Sequence, residues 1–364
     1  MIDHLHPQRL AYNEVEWCTT KLKLLFEKVC KNSIFVLQGG GWNKFDIPYY
    51  RSLIDGGHVK DTDLWIFWMK HEAPCFFTFE DIKNLHKACK ELNLDESKVV
   101  FINGDMNLDK NYYEWFKNSG FDKPINCIGF PWYFLHDRED LKSNLYKFIK
   151  YQDRAVQPSK KFICLNGTYN KSRKYILDKL ERNTDYKESG YISDLSRGIK
   201  LDKISINKLV GEDRNDEPSV FLLDDFHKDS YFSIVNEASG GWEAFNQDDI
   251  HAYFTEKITK PLYYGHPFIL IGWKNSLKFL KEMGFETYDD IFDESYDELE
   301  TWKERTISAW KEIEKILSLP DDDFYHIFEE IQDRVIYNQQ RFFNYDGYID
   351  DFISKLMGIS NATE

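Results

Sequence analysis

Twice along this chain, short runs of β-branched and aromatic residues alternate with stretches of helical period, and that alternation restricts the fold more than any other feature. A short apolar run bounded by polar turns fits a strand buried on both faces, and strands that alternate with helices favour parallel pairing in α/β layers. The first series places strands at Ile34 to Leu37, Leu64 to Trp68, Val99 to Ile102 and Ile125 to Phe130. Between them lies a helix from Phe79 to Leu92, in which Ile82, Leu85 and Ala88 recur at helical spacing. The second series follows a polar stretch, Tyr151 to Lys161, that contains Gln157-Pro158-Ser159 and reads as an inter-domain connection. Its strands are expected at Phe162 to Leu165, Val220 to Leu223, Tyr231 to Val235 and Phe268 to Ile271, and acid-rich helical segments follow at Tyr296 to Leu317 and Asp322 to Leu356. The expected fold class is α/β: two Rossmann-like domains, residues 1–155 and 156–320, facing a cleft, with a helical C-terminal segment, 321–364, that packs back on the first. In such sheets ligands sit at the carboxyl ends of the strands.

Composition narrows the partners. With 28 Phe, 22 Tyr and 10 Trp in 364 residues, the chain has ample material for two cores and predicts order nearly throughout. The 62 acidic residues outnumber 47 basic ones, and a net charge of −15 disfavours a general polyanion binder. One local exception is the stretch holding Lys142, Lys147, Lys150, Arg154, Lys160 and Lys161 against the single acid Asp153, which reads as a solvated helix end and linker or as a local basic groove. Cys18, Cys30, Cys75, Cys89, Cys127 and Cys164 form no C-x-x-C pair and predict reduced thiols. The N-terminus MIDHLHPQRL lacks the pattern of a secretion signal, and no apolar run reaches the ~18 residues of a membrane span. A cytoplasmic chain without a membrane span is the expectation.

Three segments of the second half carry candidate chemistry. In the stretch from Tyr253 to Gly272, Thr255 reads as a helix N-cap, Gly265 as its stop, and the following Pro-Phe-Ile-Leu-Ile as a buried strand. Glu256 and Lys257 then fall in the first helical turn. There Lys257 would add its charge to free backbone N–H groups in holding an anion, and Glu256 could accept from ribose hydroxyls; an ordinary capped helix with a solvated Glu-Lys pair fits the same residues. The stretch from Phe162 to Leu180 is strand, polar loop containing Asn166, then helix, with Lys171, Arg173 and Lys174 at the helix start. Cations there oppose the helix dipole unless an anion sits among them, and an arginine can clamp a diphosphate through paired hydrogen bonds; a surface helix with fortuitous charge is the competing reading for Lys171 and Lys174. The third segment, Tyr231 to Ser239, is a strand running into Asn236-Glu237, where a carboxylate can meet a ligand or cap a helix.

Taken in this order, Asn166 with Arg173, Phe232 to Glu237, and Tyr253-Phe254-Thr255-Glu256-Lys257 resemble the donor-binding domain of the α-1,3-fucosyltransferase family and of related phage and viral glycosyltransferases. The resemblance spans about residues 160–292, including the run Ser276 to Leu280 and Phe285 to Tyr288. It implies a GT-B fold and transfer of a sugar from a nucleotide-diphosphate donor to an acceptor hydroxyl, with inversion. It also implies a donor site of Asn166, Arg173, Glu237, Tyr253, Thr255, Glu256 and Lys257, in which Arg173 and Lys257 hold the diphosphate and Glu237 and Glu256 hold hydroxyls. Ala238 replaces an Asn of the family pattern, and Gly240 to Asp249 widens the spacing, so the sugar and the base are left open. A glycan, or in a viral setting a hydroxymethylated DNA base, is the acceptor class implied, and a non-catalytic sugar-nucleotide-binding or carbohydrate-binding protein is the alternative.

In the first half, Trp68-Met69-Lys70-His71-Glu72-Ala73-Pro74 follows an apolar strand and resembles the family's Glu-Ser-Pro element. An inverting transfer needs a base for the acceptor hydroxyl, and Glu72 is the candidate, with His71 as the lesser one; a strand-end turn with a solvated Glu is the competing reading. Gln38-Gly39-Gly40-Gly41-Trp42 has neither the dinucleotide nor the P-loop spacing, and Asn103-Gly104-Asp105 reads as a structural turn. The ten histidines show no H-x-x-x-H, and Asp224-Asp225 and Asp248-Asp249 are not a D-x-D. No metal and no cofactor are expected beyond the nucleotide sugar as co-substrate, with cations from Arg173 and Lys257 facing the departing diphosphate.

Overall fold

A computed structural model describes residues 33–39, 47–57, 64–70, 78–131, 158–167, 170–198, 224–237, 251–344 and 347–363. The chain divides into two compact units, Met1–Pro131 with Asp346–Glu364, and Trp132–Tyr345. The first contains β1 (Ser33–Gly39), α1 (Ile47–Asp55), β2 (Leu64–Lys70), α2 (Thr78–Leu92), β3 (Val99–Asn103), α3 (Leu108–Phe116) and β4 (Asn126–Gly129). These four strands pair in parallel in the order β1-β2-β3-β4, with no reversal. Alternate residues explain why the sheet is covered on both faces: Trp65, Phe67, Val99 and Phe101 join Ile82, Leu85 and Tyr112 in one core, while Ile66, Val100 and Ile102 are buried opposite them. The expected turn after β3 is structural. Asn103 Oδ1 accepts from the Asp105 N–H at 2.8 Å, Asp105 Oδ1 from the Asn107 N–H at 2.9 Å, and the Asn103 carbonyl from the Phe130 N–H at 2.9 Å.

Beside this core lies a buried imidazole. His86, 1% exposed, stacks on Phe121 at 4.3 Å, and its Nε2 lies 3.1 Å from Tyr112 Oη, which accepts the Ile125 N–H at 2.8 Å. Its Nδ1 meets no hydrogen-bond partner among the described residues. Burial therefore pushes the imidazole down to about 4, because a charged ring would carry an unsatisfied N–H in apolar surroundings. A folded pKa below the unfolded one means that the stability is complete above about 6.5 and is lost as pH falls from there toward 4. The expected loss for the first unit is about 2 kcal/mol. Hydrogen exchange of β3 and β4 amides at pH 7.5 and 4.5 checks this, since His86→Gln should flatten the difference; an equal pH response in both proteins would remove His86 as its cause.

The second unit contains β5 (Lys160–Asn166), α4 (Lys171–Arg182), α5 (Thr184–Glu188), β6 (Gly190–Asp194), α6 (Asp224–Lys228), β7 (Ser230–Asn236), α7 (Glu256–Tyr264), β8 (Phe268–Ile271), α8 (Ser276–Glu282), α9 (Trp302–Leu317), α10 (Asp321–Glu330) and α11 (Gln332–Asn344). Its parallel strands run β6-β5-β7-β8. Every residue of β7 and β8 is buried, as a sheet covered on both faces requires. Both units are thus α/β with parallel sheets, as the alternation predicts. β6 was not among the expected strands. Its first three residues are only half-buried, which weakens the apolar run that marks the others. The expected strand at Val220 to Leu223 lies outside the described residues.

The two acid-rich segments resolve differently from their periodicity. Tyr296 to Leu317 is a 3-10 turn, Glu294–Glu298, followed by α9, and Asp322 to Leu356 is α10, α11 and α12 (Gly347–Thr363). Packing separates them. Phe324 and Phe328 of α10 meet Phe232 of β7 at 6.2 and 5.5 Å, and Gln339 of α11 donates to the Tyr263 carbonyl at 2.7 Å. Phe352 of α12 instead lies 4.5 Å from Phe130, and Lys355 lies 3.5 Å from Asp109, both in the first unit.

Candidate functional site

The order β6-β5-β7-β8 runs second, first, third, fourth along the chain, so the strand sequence reverses between β5 and β7. Flanking helices leave such a sheet in opposite directions at that point and open a crevice past its carboxyl edge. The first sheet has no reversal among its described strands. The candidate site is therefore the carboxyl edge of the second sheet, where Asn166 ends β5, Asn236 ends β7 with Glu237 next to it, and Asp194 ends β6 in register with Asn166.

Two amides bridge the crevice floor. Asn236 Nδ2 donates to Asn166 Oδ1 at 3.3 Å, and Asn166 Nδ2 donates to Cys164 Sγ at 3.3 Å. Burial pushes the Cys164 thiol up to about 12, so the floor is neutral and polar. Over it stands the start of α4, whose N-cap Asn170 accepts the Arg173 N–H at 2.8 Å. From the sequence, an anion or fortuitous surface charge fits the cations at this helix start, and the structure gives two of them internal partners. Arg173 is 2% exposed and donates through Nη2 to the Asn236 carbonyl at 3.2 Å, while Lys174 pairs with Asp178 one turn on at 2.7 Å. Burial lowers the Arg173 pKa, and the charges of Glu237 and Glu256 oppose that shift.

The second wall is α7, which begins where the sequence placed it. Thr255 is the N-cap, with its hydroxyl accepting from the Lys257 N–H, and Gly265 closes the helix at φ +62°, a left-handed conformation that suits glycine. The His266 N–H reaches back to the Pro261 carbonyl at 2.8 Å, which completes that stop. Glu256 and Lys257 lie in the first turn, with side chains 25% and 17% exposed and Lys257 Nζ 2.5 Å from Glu256 Oε1. Burial would raise Glu256, but the charges of Lys257 and Lys260 outweigh it and hold the carboxyl below its usual value. Glu237 differs. It is 1% exposed, accepts at Oε1 from the Thr255 N–H at 3.2 Å and at Oε2 from the Thr255 hydroxyl at 2.5 Å, and is raised by burial against the opposing charge of Lys257. Tyr253 is buried in the segment leading into the N-cap.

Six of the seven second-half candidates thus lie on the strand ends and helix starts of one sheet edge, and Tyr253 lies two residues before the N-cap Thr255. Glu72 and His71 lie outside the described residues, as does most of the basic stretch from Lys142. Sequence reasoning missed Asp194, Asn170 and Cys164. Asp194, 4% exposed, caps the turn Leu195–Arg197 and pairs with Arg197, whose guanidinium also meets both Glu181 oxygens at 2.9 Å. Its signal was an Asp followed by Ser and Arg in a capping pattern, hidden because β6 itself was not read as a strand. Among the described residues no group of three or more His, Cys, Asp or Glu is placed to hold a metal ion, and no helix is long and apolar enough to cross a membrane.

No protein-family model matches the sequence, and no curated protein does. Among solved structures the chain is similar to an α,α-trehalose 6-phosphate synthase from Burkholderia multivorans, with 12% identity, a TM-score of 0.43, and coverage of 97% of this chain and 77% of that one.

Proposed function

We propose that this chain is a GT-B-type glycosyltransferase that holds a nucleotide-diphosphate sugar at the carboxyl edge of its second sheet and passes the sugar, with inversion, to an acceptor hydroxyl. The observation that carries the reading is the placement of Lys257 in the first turn of the Thr255-capped helix α7, on the sheet whose strand order reverses. A helix start presents unpaired N–H groups and positive partial charge to a diphosphate, and the Lys257 ammonium adds a full charge with part of its side chain open to solvent. As the sugar's anomeric bond breaks, negative charge grows on the departing diphosphate. Lys257 would meet it directly, and Arg173, buried behind the strand end, would contribute its field. Glu256, kept ionised by Lys257 and Lys260, suits a ribose or sugar hydroxyl. Glu72, in the run His71-Glu72-Ala73-Pro74 that resembles the family's Glu-Ser-Pro element, is the proposed base for the acceptor hydroxyl. The acceptor class, a glycan or a hydroxymethylated DNA base, rests on the family resemblance.

Calorimetry and thermal shift with UDP, GDP, CMP and their sugars test the donor site. One nucleoside diphosphate should bind saturably, and Lys257→Ala should weaken it about tenfold or more, since a hydrogen bond to a charged group contributes roughly 1.5–3 kcal/mol. Binding by none of the nucleotides, or undiminished binding in Lys257→Ala, would remove the assignment. Because Arg173 is buried and bonded to the strand end, Arg173→Lys is the informative change there. The non-catalytic alternative is separated by incubating the bound nucleotide sugar with acceptor pools: turnover supports transfer, and binding without turnover supports a binding protein.

A further inference from the structure

The two oxygens of Glu237 and the hydroxyl of Thr255 define a hydrogen-bond chain with a fixed direction. Thr255 donates its N–H to Glu237 Oε1 at 3.2 Å and its hydroxyl hydrogen to Glu237 Oε2 at 2.5 Å. With that hydrogen committed, the oxygen of Thr255 has only lone pairs left, and both remaining contacts are with donors. The Lys257 N–H lies at 3.4 Å and the Lys257 ammonium at 3.2 Å. The ammonium is thus held between a hydroxyl that can only accept and the Glu256 carboxylate at 2.5 Å. Glu237 is anchored in turn, because its own N–H donates to the Ile271 carbonyl at 2.9 Å at the end of β8. From these contacts we infer that Glu237 is a positioning residue, acting through the Thr255 hydroxyl to aim the Lys257 ammonium, and not a ligand for sugar or nucleoside hydroxyls.

The geometry states why a carboxylate is needed. Glutamine has the same shape but one acceptor where Glu237 has two. If its oxygen faces the Thr255 hydroxyl, its NH2 opposes the Thr255 N–H, donor against donor. If it is turned the other way, the NH2 donates to the hydroxyl oxygen, and the hydroxyl hydrogen is driven toward the Lys257 ammonium. The second arrangement releases Lys257 directly; the first sets two donors against each other at the Thr255 N–H and displaces the N-cap residue that holds it.

The inference depends on the donor-site reading only for its nucleotide arm, so the primary test uses no nucleotide. Competitive labelling with trace acetic anhydride, read by peptide mass spectrometry against the exposed Lys117 as internal reference, reports how firmly the Lys257 amine is engaged. Labelling of Lys257 should be roughly tenfold faster in Glu237→Gln and in Thr255→Val, the scale of releasing one charge-assisted hydrogen bond. The double variant should be no faster than either single one, because both cut one chain, and Thr255→Ser, which keeps the hydroxyl, should label at the wild-type rate. An unchanged rate in Glu237→Gln overturns the inference; should that variant not fold, Thr255→Val against Thr255→Ser decides by the same readings. In the nucleotide arm, lost diphosphate affinity in Glu237→Gln with unaltered Lys257 labelling makes Glu237 a direct ligand and also overturns it. Altered labelling in a protein that binds no nucleotide supports the positioning chain while removing the donor-site reading.

Discussion

Gly129→Ala is expected to destabilise the first unit by about 3 kcal/mol or more, near the upper end for a single added methyl in a packed core. A Cβ built on Gly129 would lie 2.1 Å from the Asp105 carbonyl oxygen and 3.2 Å from the Met106 Cα, and both are backbone atoms. Neither can turn aside as a side chain would. Asp105 is fixed by the turn that Asn103 nucleates, and the Phe130 N–H next to Gly129 is bonded to the Asn103 carbonyl, so turn and strand end cannot separate without losing that bond. The glycine is required here by space and not by its backbone angles. Urea denaturation followed by hydrogen exchange in β3 and β4 checks the size and the location of the loss. A Gly129→Ala protein with wild-type stability would mean that the turn after β3 yields by more than an ångström at little cost.

Arg305→Ala is expected to cost the second unit about 3–5 kcal/mol, the range for removing one member of a buried, charged hydrogen-bond set. Arg305 is 1% exposed, yet its guanidinium bridges three backbone carbonyls: Gly272 at 3.1 Å, Leu299 at 2.7 Å and Glu300 at 3.0 Å. It also lies over the Trp302 ring at 5.3 Å. Truncation would leave those carbonyls without this donor and open a void beside the indole. Arg305→Lys should recover only part of the loss, because an ammonium cannot span the carbonyls as the planar fork does. The effect reaches the candidate site through β8. Gly272 follows Ile271, whose carbonyl accepts the Glu237 N–H, so exchange at the Glu237 amide should quicken in Arg305→Ala before the unit as a whole unfolds. Unchanged exchange at that amide would separate the α9 anchor from the sheet edge.

The elements of this protein that depend on neighbouring residues were readable from the chain. Thr255 and Gly265 delimit α7 because an N-cap hydroxyl and a left-handed terminal glycine act within one helical turn. The strands with buried, continuous apolar runs could be located, and β6 could not, because its first three residues are only half-buried and leave too weak an apolar run. The helix start at Arg173 could be placed after a strand from the alternation, and that at Lys257 from its cap residues Thr255 and Gly265. Whether those ends meet is set by strand order, a long-range property that local pattern does not encode, and here the reversal between β5 and β7 brings Asn166, Asn236 and Glu237 together. Tertiary structure likewise decided the division of the C-terminal helices. The period that makes Phe324, Phe328, Phe342 and Phe352 apolar-face residues is the same throughout, and only the surfaces they meet distinguish α10 and α11 from α12. It also decided what the charged residues do. A sequence shows that Arg173 and Lys257 are cations and that Glu237 and Glu256 are carboxylates. Desolvation and hydrogen-bond direction, which exist only once the chain is packed, bury Arg173 and Glu237 behind the site and leave Lys257 and Glu256 partly open at its edge.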